Sequence, residues 1–144
     1  MKQNVVERKI MWGDLDALGI VFYPRYYEWI DSCGHLFFEA INLNLGKLLQ
    51  DRNIIFGLVD TACRYFKPGR YHQDIRISTG IDDLTPKTVT LKHRIETVAE
   101  GALLVEGIEK RICLDVSDRE KFKALEIPAD IFDLLKHALR GDAP

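Results

Sequence analysis

Two carboxylates stand two residues apart in a glycine-punctuated loop, Trp12-Gly13-Asp14-Leu15-Asp16-Ala17-Leu18-Gly19, which runs through Ile20-Val21-Phe22 into Tyr23-Pro24-Arg25-Tyr26. The loop feeds directly into a predicted helix start. A helix N-terminus presents N–H groups that lack an intrahelical acceptor, together with the positive end of the helix dipole, and so can stabilise an oxyanion. A nearby carboxylate can activate water or attack a carbonyl itself. Together these groups suit acyl transfer. The competing reading is that Asp14 and Asp16 only bond to local backbone, as aspartates in loops commonly do. Asp14 could share the site as a second acid or hold the loop's shape.

The other reactive residue types form no comparable constellation. Cys33 and His35 are two apart on the predicted helix, so they point to nearly opposite sides and make no nucleophile and base pair. His93 shares parity with Leu91 and Ile95, which predicts a hydrogen-bonded structural role facing the helix, an interface or a pocket. His72 sits beside the Pro68-Gly69 turn, where exposure is expected, and His137 lies near the chain's end. No histidine pair has ligand spacing, and Cys33, Cys63 and Cys113 form no C-x-x-C, so no catalytic metal or cofactor is expected and the thiols read as reduced. Asp31 follows Ile30 on the helix and reads as an exposed or interfacial charge. Lys67, Arg70, Lys87, Lys121 and Lys123 fall at turns or strand ends, where they could meet phosphates or simply be solvated. Trp12, Phe22, Tyr23, Tyr26, Trp29, Phe56, Tyr65 and Phe66 are read mostly as core.

The elements that must position the loop are legible from periodicity. Val5 to Trp12 reads as a first strand. From Tyr26 the apolar residues Ile30, Cys33, Phe37 and Ile41 recur at three- and four-residue steps, which places one stripe on a helix. Pro24 suits its first turn, where a missing N–H costs nothing. Asn42, Asn44 and Gly46 are expected to stop it, followed by a short segment, Lys47 to Gln50, of open form. In the second half Val89, Leu91 and Ile95 alternate with polar residues, and Ile108, Ile112, Leu114 and Val116 share one parity and predict the dry face of a strand. Turns at Pro68-Gly69, Asp82-Asp83 with Pro86, and Glu100-Gly101 predict an antiparallel meander of roughly four long strands besides the first. Pro128 to Leu139 predicts a short capping helix. The layout is α+β, with a sheet that must bury one face against the long helix.

A chain of 144 residues is enough for one domain with a real core, and a formal net charge of -2 gives no overall basic field for nucleic acid or an anionic membrane. The first residues lack the apolar core of a signal peptide and no stretch approaches the ~20 apolar residues that span a bilayer. A cytoplasmic, soluble protein is expected.

The run D-L-D-A-L-G-I-V-F-Y-P-R-Y, read with R-Y-F-K-P-G-R-Y-H-Q-D-I-R-I and A-L-E-I-P-A-D-I, resembles the 4-hydroxybenzoyl-CoA thioesterase family of hot dog proteins. The resemblance covers nearly the whole chain and implies one hot dog domain over residues 1–144, in which a long central helix is wrapped by a five-stranded antiparallel sheet and followed by a short C-terminal helix. It implies Asp16 as the catalytic carboxylate, and a Tyr23 backbone N–H that meets the thioester carbonyl. It also places Lys87, Lys121 and Lys123 among basic residues near the nucleotide of an acyl-CoA substrate. Paired subunits, as a homo-oligomeric dimer or a tetramer of paired subunits, follow from the same likeness. Ala17-Leu18 depart from the Pro-Ala of the nearest members, and Thr85-Pro86 stand where relatives carry arginines; the first bears on acyl specificity, the second on the grip of the nucleotide. The expected activity is hydrolysis of an aryl-CoA thioester such as 4-hydroxybenzoyl-CoA, with a short-chain aliphatic acyl-CoA or a non-catalytic acyl-CoA-binding domain as the competing readings. A hydratase of this fold usually needs a histidine with a carboxylate at the helix start, and no histidine precedes His35.

Overall fold

The structure, a computed structural model, describes residues 1–142 of the chain, so residues 143 and 144 of the expected domain lie outside the described residues. Strand β1 (Gln3–Lys9) leads through a single 3-10 turn (Trp12–Asp14) to helix α1 (Pro24–Ala40) and helix α2 (Leu45–Arg52). Four long strands follow: β2 (Ile54–Tyr65), β3 (Asp74–Leu84), β4 (Thr88–Thr97) and β5 (Leu103–Asp115). A two-residue β6 (Lys123–Ala124) and helix α3 (Ala129–Arg140) complete the chain. The expected helix wrapped by an antiparallel sheet is therefore present.

The apolar stripe does what its period implies. Tyr26, Ile30, Cys33 and Phe37 are buried against the sheet, which answers with Ile75, Ile77, Leu91 and Ile95, each at most 1% exposed. Full burial of side chains of this size contributes about 1.5–3 kcal/mol apiece. The core has two lobes along α1. One, around the helix N-terminal half, joins Ile10, Val21, Tyr26 and Ile30 to Ile75, Ile95 and Val105. The other joins Phe37, Phe38 and Ile41 to Val89, Cys113, Ile127 and Leu135 of α3.

Several expectations are corrected. The first strand is Gln3–Lys9 and not Val5 to Trp12, because Trp12 to Asp14 close a turn on the Asp14 carboxylate. The sheet order is β1-β3-β4-β5-β2, with β6 paired to β5. Only β3, β4 and β5 form a meander; β2 lies at the far edge against β5, and β1 takes the place beside β3. Pro68-Gly69 therefore belongs to a connection between non-neighbouring strands, not to a hairpin. Lys47 to Gln50 lies inside α2, which Asn44 caps by accepting the Lys47 N–H at 2.9 Å, so Gly46 sits within a helix and does not stop one.

The face assignment of β5 is reversed. Val105, Gly107, Glu109, Arg111 and Cys113 point to the helix and are buried, while Ile108, Ile112 and Leu114 lie half-buried on the outer face. The sequence reading assigns the dry face by apolar parity, but Glu109 and Arg111 satisfy one another inside the fold, which removes the penalty that the parity rule assumes. His93 is fully buried on the parity shared with Leu91 and Ile95, as predicted.

Candidate active site

The loop before α1 is shaped by its own polar groups. Asp14 accepts the Met11 N–H at 2.9 Å and an Arg8 Nη2 bond at 3.0 Å, and its carbonyl accepts the Phe22 N–H. Its carboxylate is spent on holding the loop. Asp16 is bound differently. Its backbone N–H donates to Ile20, its carbonyl accepts from Gly19, and a single side-chain bond, Leu18 N–H to Oδ1 at 2.8 Å, orients the carboxylate. Gly19 adopts φ +74°, a left-handed conformation that glycine takes without the steric cost of a Cβ, and so lets the chain double back over Asp16.

The returning strand is pinned to the β2–β3 connection. Val21 N–H donates to Gly69 O at 2.9 Å, and Gly69 N–H donates to the Tyr26 hydroxyl at 3.2 Å. A Cβ at residue 69 would lie within 2.9 Å of Tyr26, Ile10 and Val21, so only glycine permits this approach. Burial raises the Tyr26 pKa, which keeps the phenol neutral at this joint. Pro24 then opens α1 without a capping side chain. Among the described residues no acceptor meets the Tyr23 N–H. That donor sits at the positive end of the helix dipole.

Asp16 and Tyr23 line one cavity of about 400 Å3, with Tyr26, Tyr65, Phe66 and Lys67 among its other walls. The two residues singled out for chemistry are brought together. Tyr65 and Phe66 are half-exposed wall residues, not the core that their aromatic character suggests; Tyr65 ends β2 opposite Val105, and Phe66 follows it with its N–H on Leu104 O, so the end of the strand delivers both rings to the cavity. Lys67, read from sequence as a turn residue that could meet phosphates or simply be solvated, also lines the cavity. The wall residue Tyr23 is 60% exposed, and Leu18 and Trp12 of the same loop are 79% and 73% exposed.

Lys87, Lys121 and Lys123 are not brought to this cavity. Lys87 O accepts the Cys113 N–H, and Lys123, with Lys121 two residues before it, pairs with Asp115, so the backbones of Lys87 and Lys123 lie beside Cys113, which shares a core cluster with Phe37 and Phe38. That is the C-terminal lobe of the core. Asp16 is at the N-terminal end of α1, and 17 helical residues at ~1.5 Å each separate the two ends by roughly 25 Å. Lys87, Lys121 and Lys123 are all exposed.

Asp31 lies on α1 with its side chain 56% exposed, as expected, but it also accepts a 2.7 Å bond from the buried Arg111. His72 is exposed and in a left-handed conformation. Cys33 and Cys113 are buried thiols whose pKa values burial pushes up to about 11; Cys63 is partly buried. No described helix is long and apolar enough to cross a membrane.

Comparison with known proteins identifies the family and the fold. A family model for the thioesterase-like superfamily matches residues 10–135. The chain is 25% identical over 134 residues to 4-hydroxybenzoyl-CoA thioesterase from Pseudomonas sp. strain CBS-3, covering 90% of this chain and 94% of that protein. The solved structure of the Pseudomonas protein superposes with a TM-score of 0.83 at 25% identity, over 93% of this chain and 99% of the other. A gentisyl-coenzyme A thioesterase structure superposes with a TM-score of 0.78 at 29% identity, over 92% and 99%. The fold is the hot dog fold.

Proposed function

This chain belongs to the thioesterase-like superfamily, and from that premise we propose that it hydrolyses an acyl-CoA thioester to the free acid and CoA, through a single domain over residues 1–144. One observation carries the reading: a carboxylate, Asp16, and an unpartnered helix-terminal donor, the Tyr23 N–H, wall the same cavity. The thioester carbonyl oxygen accepts the Tyr23 N–H, and the negative charge that develops on it is stabilised by that bond and the helix dipole. Asp16 then acts in one of two ways. As a nucleophile it attacks the carbonyl carbon, the tetrahedral intermediate expels CoA thiolate, and water hydrolyses the resulting mixed anhydride. As a general base it takes a proton from the water that attacks. Oxygen-18 from water that enters Asp16 in a single turnover identifies the nucleophilic route.

For the acyl group, the rings of Tyr23, Tyr26, Tyr65 and Phe66 favour a compact aryl unit of the 4-hydroxybenzoyl kind. A short aliphatic acyl group is the second reading, supported by the modest size of the cavity. The distance between Asp16 and the lysines bears on assembly. In one subunit Asp16 and these lysines stand toward opposite ends of α1, whereas a second copy running antiparallel brings its own Lys87, Lys121 and Lys123 toward the first copy's Asp16 and covers the exposed Leu18 and Trp12. The working form is a homodimer or a tetramer built from such pairs.

The test is thiol release from a panel of acyl-CoAs. Hydrolysis with a greater kcat/KM for benzoyl-type CoAs than for acetyl- or palmitoyl-CoA is the expected result. Preference for palmitoyl-CoA overturns the aryl assignment, and binding of every acyl-CoA without thiol release overturns the hydrolase.

A further inference from the structure

A charged network lies between α1 and the sheet, outside the cavity and unused by the chemistry above. Thr79 Oγ1 is 2.8 Å from His93 Nδ1, and His93 Nε2 is 2.6 Å from Glu109 Oε1. Arg111 Nη2 donates to Glu109 Oε2 at 2.8 Å and to Asp31 Oδ1 at 2.7 Å, while its Nη1 donates to the Phe56 carbonyl. The chain of bonds thus runs from β3 through β4 and β5 onto the helix. The side chains of His93, Glu109 and Arg111 are 0%, 2% and 8% exposed.

This arrangement is a poor source of stability. Buried ion pairs lose about as much in desolvation as they gain in attraction, and well-packed apolar side chains of equal volume often do better. Arg111 Nε is also buried with no acceptor among the described residues, a further cost. The network does, however, touch α1 at two places. Arg111 holds Asp31, and the Glu109 carboxylate lies directly against the helix at Gly34, where an added Cβ would stand 2.5 Å from Oε1. A single helix carries both contacts and, at its N-terminal end, the Tyr23 N–H.

We infer that Glu109, His93, Arg111 and Gly34 are positioning residues, which set the height and rotation of α1 on the sheet and so fix the Tyr23 N–H opposite Asp16. The inference rests on the thioesterase reading for its catalytic consequence and on geometry alone for its structural one. Helix and sheet meet here through a directional bond from Arg111 to the Asp31 carboxylate in addition to the apolar contact of Ile30, Cys33 and Phe37. A shift of the helix by a fraction of a turn would carry the donor away from the carbonyl oxygen it must meet.

Two measurements on the full chain test this: hydrolysis of benzoyl-CoA, read as kcat and KM, and the amide 1H–15N resonance of Tyr23. Gly34→Ala drives a methyl group into Glu109 Oε1, and Glu109→Asp withdraws the carboxylate by one methylene. Because misplacing a catalytic group by about 1 Å costs on the order of 10²-fold, Gly34→Ala should lower kcat by about 10- to 100-fold, leave KM within about twofold, and move the Tyr23 resonance. Adding Glu109→Asp to Gly34→Ala should recover most of the lost kcat and return the resonance toward its wild-type position. A merely structural role would lower thermal stability without moving that amide and without rescue by the shorter acid. Wild-type kcat and an unmoved Tyr23 amide in a folded Gly34→Ala protein overturn the inference. If Gly34→Ala fails to fold, Glu109→Gln, which keeps the volume and removes the charge, takes its place with the same expected and overturning results. If the wild-type protein releases no thiol from any acyl-CoA, the functional reading falls, and the Tyr23 resonance alone decides whether the network positions the helix.

Discussion

Asp16→Asn separates chemistry from structure better than any other change at the site. In the folded chain Asp16 makes one side-chain bond, from the Leu18 N–H to Oδ1 at 2.8 Å, while the loop's other bonds use its backbone. Asparagine keeps that acceptor oxygen and so keeps the turn. Alanine would lose it, at a cost of about 0.5–1.5 kcal/mol, and would confuse a misfolded loop with a missing carboxylate. What asparagine cannot do is accept a proton from water or attack a thioester. Removal of general acid-base catalysis alone costs about 10²- to 10⁴-fold, so kcat should fall by at least ~10² while the thermal midpoint stays within a degree or two and acyl-CoA still binds. Stopped-flow detection of CoA thiol, with binding followed by calorimetry on the inactive protein, reads all three quantities. A folded Asp16→Asn protein that turns over at near wild-type rate would remove the central claim.

Asp14→Ala should do the reverse, because the Met11 and Arg8 bonds to a carboxylate that is 13% exposed are structural: roughly 1–3 kcal/mol of stability is lost by denaturant titration, with a kcat effect much smaller than that of Asp16→Asn. Replacing Lys87, Lys121 and Lys123 together by alanine should raise KM for benzoyl-CoA, leave kcat nearly unchanged, and flatten the rise of KM with added salt; unaltered KM at low salt would remove these lysines from the nucleotide's grip. With their pKa values pushed up to about 11 by burial, Cys33 and Cys113 are almost wholly protonated at pH 8, so a thiol reagent should label at most Cys63 quickly until denaturant is added. Rapid labelling of all three in the native protein would contradict the burial.

The parts legible in the sequence were those fixed by local rules. The stripe Tyr26, Ile30, Cys33 and Phe37 fixes which side of α1 faces the sheet, and the alternation around Leu91 and Ile95 fixes β4, because both elements bury apolar atoms on one face. The loop that holds both carboxylates could be singled out because Asp14, Asp16, the glycines and Pro24 sit close together along the chain, whereas the choice of Asp16 over Asp14 came from the family resemblance. What local rules could not supply was the order of strands. Tyr65 to Asp74 looks like the link of a hairpin, yet it passes over the start of α1, held by Gly69 through Tyr26 and Val21, and delivers β3 to the other side of the sheet. The separation of Lys87, Lys121 and Lys123 from Asp16 was hidden for the same reason, since it depends on which end of a strand meets which end of the helix.

Strand β5 poses the harder question, because a one-residue slip would bury Ile108 and Ile112 and release Glu109 and Arg111 to water, a change that hydrophobic burial alone favours. Two glycines stand against it. Gly107 faces Ile30 so closely that an added Cβ would lie 3.2 Å from Ile30 Cδ1, and Gly34 leaves room only for the flat carboxylate of Glu109. A slipped strand would present Glu106 or Ile108 where Gly107 is needed, and Ile108 or Lys110 in place of Glu109. Each of those would drive α1 away from Ile95 and Leu91. His93 adds a chemical condition, since its ring in the closed core would then lose the carboxylate 2.6 Å away and leave a buried nitrogen unsatisfied. The polar network and the glycines therefore select one register that apolar pattern would not select, and the selected register is the one that brings Arg111 to Asp31 and Glu109 against Gly34 of α1.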